Sequence, residues 1–79
     1  MLGKMLKILR SNTGYNQTEL AKKINIAQTT LSGYETNYAE PSFETLEKIA
    51  EECGFEIIFR NKETKQEYTT KSITRMDIR

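Results

Sequence analysis

The chain has no histidine and a single cysteine among its 79 residues. One cysteine rules out an intrachain disulfide, and without histidine no Cys–His metal site can be assembled. Cys53 falls in an apolar helical pattern, where a free thiol serves as a small core group. Other parts of an active site are absent too. There is no histidine base, no glycine loop to cradle a phosphate, no paired buried-carboxylate pattern and no nucleophile arrangement. An enzyme is therefore not expected, and no catalytic residue, cofactor or metal is assigned. No apolar run approaches the roughly 20 residues of a membrane span, and no secretory leader is visible. A cytoplasmic protein without a membrane partner is expected. The formal net charge is only +1, which argues against a chain that coats polyanions by bulk charge.

What the chain does have is an uneven distribution of charge. Residues 1–34 hold five Lys or Arg against one Glu, and residues 35–56 hold seven Glu against one Lys. The last 23 residues hold six basic against three acidic. A positive front beside an acidic flank orients a protein on a polyanion such as DNA. At this length one domain is expected, with a marginal core that self-association would reinforce.

Hydrophobic spacing divides the chain into short helices. Leu2, Met5, Leu6, Ile8 and Leu9 form an apolar stripe, with Lys4, Lys7 and Arg10 outside it. A loop at residues 12–15 follows. Asn16 then caps a second helix, and Glu19 three positions later completes a capping box. Leu20, Ala21 and Ile24 share the inner face of that helix, while Lys22 and Lys23 are solvated. Asn25 is suited to the left-handed residue that ends it, and Ile26 tucks inward. A third helix runs from about Ala27 to Thr36, with Leu31 and Tyr34 inward. Ser42, after Pro41, caps a fourth helix whose inner face is Phe43, Leu46, Ile49, Ala50 and Cys53. Gly54 closes it.

The outer side of the third helix is small and polar. Gln28, Thr29, Ser32, Gly33 and Thr36 offer hydrogen-bonding groups and no large apolar side chain. Gln can pair both edge groups of adenine, and Ser or Thr can bond several bases. Gly33 costs about 1 kcal/mol of helix propensity relative to Ala. Its use there would be close approach of backbone to DNA.

From about Leu6 to Phe55 the chain resembles the phage-repressor and Cro, or xenobiotic-response-element, family of helix-turn-helix regulators. The ordered set Gln17, Glu19, Leu20, Ala21, Leu31, Glu35, Pro41, Leu46, Ile49 and Ala50 carries the resemblance. It implies a mainly α fold: a four- to five-helix repressor-like DNA-binding domain, here with a C-terminal β-strand or β-hairpin extension. It implies base-facing positions at Gln28, Thr29, Ser32 and Gly33. Gln17 is implied to sit against a phosphate and against Gln28, and Thr36 to face the backbone. Arg10 and Glu35 resemble an ion pair that ties the first helix to the third. Two departures stand out. Ala27 replaces the capping Ser or Thr frequent before Gln28. The loop Asn37, Tyr38, Ala39 and Glu40 lacks the usual basic residues, so the Tyr38 hydroxyl is the donor left to reach a phosphate. Asn37 supplies the left-handed turn. Asn16, Gln17, Lys22, Thr36, Asn37 and Tyr38 are together the expected backbone or supporting contacts, with Lys4, Lys7 and Lys23 nearby.

Beyond Gly54 the period changes. Phe55, Ile57 and Phe59 alternate with Glu56, Ile58 and Arg60, which predicts a strand. Residues 61–65 read as a turn and Gln66–Ile73 as a second strand, with 74–79 a frayed end. Residues 1–54 are thus the DNA-binding part, and 55–79 an extension of the same globular unit. An isolated hairpin is marginal in water and its free edges invite another chain. Phe55, Ile57, Ile58, Phe59 and Tyr68 are therefore the expected dimerisation residues; the alternative is a hairpin packed on its own helices. Such an extension is similar to that of some antitoxins in the family. The expected function is a dimeric repressor that reads an inverted repeat in double-stranded DNA. The alternative is an antitoxin that also binds a protein toxin.

Overall fold

The computed structural model describes residues 1–71. In chain order it holds helices α1 (Gly3–Ser11), α2 (Gln17–Lys23), α3 (Gln28–Glu35) and α4 (Phe43–Glu52), then strands β1 (Phe59–Arg60) and β2 (Glu67–Tyr68). The architecture is mainly α with a small C-terminal antiparallel sheet, as the sequence predicts. No helix of the described residues is long and apolar enough to cross a membrane.

Helix ends follow local chemistry. Asn16 Oδ1 accepts from the Glu19 amide at 2.8 Å, and Glu19 Oε1 accepts from the Asn16 amide at 2.9 Å, closing the capping box. Ser42 Oγ accepts from the Thr45 amide at 3.1 Å at the start of α4. Three helices end in the same way. Asn25, Asn37 and Gly54 take φ of 60°, 64° and 82°. The next amide then reaches back to the helix: Ile26 to the Ala21 carbonyl, Tyr38 to that of Gly33 and Phe55 to that of Ala50, at 2.9, 2.9 and 2.8 Å. These are Schellman closures, with asparagine standing twice where glycine is commonest.

Each helix contributes one fully enclosed side chain to the core: Leu6, Leu20, Leu31 and Ile49. Ala21, Ile24 and Cys53 complete the buried cluster, and Leu2, Leu9, Tyr15, Ile26, Tyr34 and Leu46 pack around it. Truncating any of the four central residues to Ala costs about 2–5 kcal/mol. That is a large part of the roughly 5–15 kcal/mol that holds a domain folded.

Two core expectations are corrected. Met5 and Ile8 are 53% and 47% exposed. A nine-residue helix meets the core along one narrow line, and Leu2, Leu6 and Leu9 occupy it. Phe43 is also exposed at the start of α4. Its ring meets that of Phe59, with centroids 6.0 Å apart, instead of the helical core.

The hairpin is shorter than predicted. Pairing is confined to Phe59 with Tyr68 and Arg60 with Glu67. Residues 55–58 run up to it without ladder partners among the described residues. The turn is held by Asn61, whose Oδ1 accepts from the amides of Glu63 and Thr64 at 2.9 and 3.0 Å. Arg60 Nε donates to Glu67 across the ladder at 2.9 Å. Phe43, Glu47 and Glu51 along α4 then meet Phe59, Thr70 and Lys71. The hairpin is thereby attached to α4. Of the predicted second strand, Gln66 and residues 69–71 lie outside the ladder, in turn or irregular backbone, while 72–73 and the tail at 74–79 lie outside the described residues.

Candidate nucleic-acid interface

The site is built on α3, whose two sides have different tasks. Leu31 is enclosed on the inner side. Gln28 and Thr29 are exposed on the outer side, and Ser32 and Gly33 are partly exposed. Thr36 follows as the C-cap, its hydroxyl donating to the Ser32 carbonyl at 3.0 Å. The polar residues named from the sequence thus lie along one open surface. Thr30, exposed in the first turn, belongs to the same end of the helix. Its place next to Thr29 was the available signal.

Gly33 is not required by the fold. A Cβ added there would meet only the Tyr38 ring, at an ordinary contact distance of 3.7 Å. Tyr38 itself is 90% exposed and leans over this side of α3. The absent side chain leaves the helix backbone open to an approaching surface. Ala27 makes no side-chain cap, so the first α3 amides have no donor-satisfying side chain in front of them.

A hydrogen-bonded chain runs from the protein interior to this surface. Arg10 Nε donates to Glu35 Oε2 at 2.7 Å and Arg10 Nη2 to Glu35 Oε1 at 2.8 Å, a two-point pair. Arg10 Nη1 donates to the Tyr15 carbonyl at 3.1 Å, fixing the loop before α2. Gln17 Nε2 donates to Glu35 Oε1 at 3.0 Å, and Gln28 Nε2 donates to Gln17 Oε1 at 2.7 Å. Three elements converge on Glu35, whose side chain is fully enclosed. Burial pushes its carboxyl pKa up, but the donors Arg10 and Gln17 outweigh burial and hold it below the usual value. Removing Arg10 alone would leave this charge buried and unpaired, at a cost of about 3–5 kcal/mol.

The helix end behind the site is held by a contact the sequence did not disclose. A Cβ on Gly3 would lie 2.4 Å from the Glu35 carbonyl oxygen, so only glycine allows α1 to start against the end of α3. Asn37 Oδ1 accepts from the Gly3 amide at 2.9 Å. Asn37 is therefore both the left-handed residue and a clamp between α3 and α1. A glycine within an amphipathic stripe was the one visible sign of this approach.

Among the remaining named residues, Asn16 holds the α2 cap, and Lys22, Lys23, Lys4 and Lys7 are exposed. Phe55, Ile58, Phe59 and Tyr68 are exposed, and Ile57 is half-buried. Burial raises the Cys53 thiol pKa, consistent with an inert core group.

Comparison with known proteins places this geometry. The Helix-turn-helix family profile matches residues 6–59. The chain is 47% identical over 49 residues to the HTH-type transcriptional regulator ImmR of Bacillus subtilis, covering 62% of this chain and 39% of that protein. It is 42% identical over 48 residues to the Antitoxin HipB of Escherichia coli K12, covering 61% of this chain and 54% of that protein. The chain thus spans about half or less of the length of these relatives. Among solved structures it is similar to SinR, a master regulator for biofilm formation crystallised in complex with DNA. There the TM-score is 0.65 and the identity 36%, over 70% of this chain and 89% of that one. The two-sided α3, its buried anchor and the match over most of the described residues lead to one conclusion: this chain belongs to the Cro/C1-type helix-turn-helix family of transcription regulators, which are not enzymes.

Proposed function

We propose that this protein is a sequence-specific DNA-binding transcriptional regulator that acts as a dimeric repressor. The observation that carries the reading is the outer side of α3: Gln28, Thr29, Ser32 and Gly33 form an open polar surface, and Gln28 is anchored to the interior through Gln17. These four residues read base edges in the major groove. Lys22, Gln17, Asn16, Thr36 and Tyr38 hold the phosphate backbone or support the helix, and Asn37 supports it from behind. Residues 1–54 do the reading, and the extension from residue 55 brings two copies together through Phe55, Ile57, Ile58, Phe59 and Tyr68. A two-fold dimer sets its recognition helices about 34 Å apart, one DNA turn, and so reads an inverted repeat. Repression follows from occlusion of the promoter.

Selection of bound sequences from random DNA tests the whole reading, and a palindromic consensus is the expected result. On that consensus Gln28→Ala weakens binding by about 1–3 kcal/mol, with much less loss on random DNA. Equal loss on both sequences rejects base reading by Gln28. Lys22→Ala weakens all sequences alike and flattens the salt dependence.

A second reading is favoured by the similarity to HipB. The chain would then be an antitoxin that binds a protein toxin and represses its own operator. Co-purification of a small protein encoded beside it distinguishes the two.

A further inference from the structure

The ionised carboxylate of Glu35 has a consequence at the surface. Arg10 can only donate hydrogen bonds and a carboxylate can only accept them. Glu35 spends Oε2 on Arg10 and shares Oε1 between Arg10 and Gln17. Gln17 must therefore turn its NH2 inward, because its oxygen would face an oxyanion. Its own Oε1 is left pointing at Gln28, 2.7 Å from Nε2. Gln28 in turn must present its NH2 to Gln17. What remains for a ligand is Gln28 Oε1 with the second N–H beside it, one acceptor and one donor.

We propose that Glu35 is a positioning residue for base discrimination: its fixed charge, relayed through Gln17, sets the amide of Gln28 in the orientation that reads adenine and rejects guanine. The inference rests on the base-reading role proposed above for α3. Adenine offers N7 as acceptor and N6–H as donor in the major groove, the complement of one N–H and one C=O. Guanine offers two acceptors, N7 and O6. An amide turned over would meet guanine with its NH2, so a free amide serves either purine. A fixed one does not. Burial of the Glu35 side chain keeps water from substituting for the missing donors, and the carboxyl stays ionised at neutral pH because Arg10 and Gln17 outweigh the effect of burial.

The test uses the whole chain and the selected consensus, together with the same DNA carrying G·C for A·T at the base pair opposite Gln28. Gln28→Ala identifies that pair as the position whose preference it abolishes. Wild type is expected to favour adenine there by roughly 5- to 100-fold. Glu35→Gln, whose amide accepts Gln17 in either orientation, is expected to bring the ratio near one. Ratios at the other positions should stay unchanged. A merely structural loss would weaken every sequence alike and leave the adenine-to-guanine ratio intact. Should Glu35→Gln fail to fold by circular dichroism, Gln17→Ala decides, since it frees Gln28 without touching the ion pair. Retention of the full ratio in a folded Glu35→Gln or Gln17→Ala overturns the proposal while leaving base reading in place. If Gln28→Ala alters no single position, the base-reading role itself has failed.

Discussion

Gly33 and Glu35 lie two positions apart on α3 and show how differently single residues act. Gly33 faces outward with room for a Cβ, 3.7 Å from the Tyr38 ring. Gly33→Ala should therefore stabilise the free protein by about 1 kcal/mol through helix propensity. If α3 reads DNA as proposed, it should also weaken DNA binding, because the methyl group would stand between the helix backbone and the duplex. Thermal melting and a binding titration on the same sample check both halves; higher stability with unchanged affinity would show that no close approach occurs. Glu35 faces inward, and its pKa is held below the ordinary glutamate value of 4.5. A depressed carboxyl gives stability that is fully present above the unfolded value and lost as pH falls through the folded one. The urea midpoint of wild type should exceed that of Glu35→Gln at neutral pH, and the gap should close on acidification below about 4.5. A gap independent of pH would remove the ionised pair as its cause.

At the scale of elements, the helices are short and their ends decide much of their stability. Three of the four end on a left-handed residue, and these were legible in the sequence because Asn25, Asn37 and Gly54 tolerate that conformation. The starts are less uniform. Asn16 and Ser42 cap α2 and α4, but Ala27 leaves α3 without a side-chain acceptor. Ala27→Ser should restore the cap and stabilise the fold by about 1 kcal/mol. In a domain of this size that corresponds to a rise of about 4–8 °C in Tm. An unchanged melting temperature would mean that the first α3 amides are already satisfied by water. The loss of the cap also leaves those amides free for a phosphate, so the same variant reports on affinity.

At the scale of the molecule, the outer side of α3 and the hairpin are built on different elements, the hairpin being attached to α4. Positive charge gathers in residues 1–34 and Glu gathers on and around α4, a distribution that would orient the chain on a polyanion. The hairpin pairs over two residues per strand, and Ile58, Phe59 and Tyr68 stay 45%, 56% and 42% exposed. So small a sheet is marginal in water, and exposed apolar side chains beside an unpaired edge favour a second copy. Ile58→Lys should leave the helical circular dichroism intact and shift sedimentation equilibrium from dimer to monomer. Binding to an inverted repeat should fall much more than binding to a half-site. A dimer that persists in this variant would place the interface elsewhere.

The sequence by itself determined what is local. Helix faces follow from the spacing of Leu6, Leu20, Leu31 and Ile49 among polar neighbours, and helix ends follow from the backbone preferences of Asn, Ser and Gly. Both depend on interactions within a few residues, which spacing encodes directly. The Arg10–Glu35 pair was accessible through family resemblance, since its partners are 25 positions apart. Only the tertiary structure decided that Gly3 must be glycine, that Asn37 clamps α1 to α3, and that Glu35 holds Gln17 as well as Arg10. It also decided that Met5, Ile8 and Phe43 escape the helical core, and that the strands pair over so few residues. These outcomes turn on how closely distant segments approach and on which donor faces which acceptor. Such distances arise when four short helices share one small core, and no pattern along the chain records them.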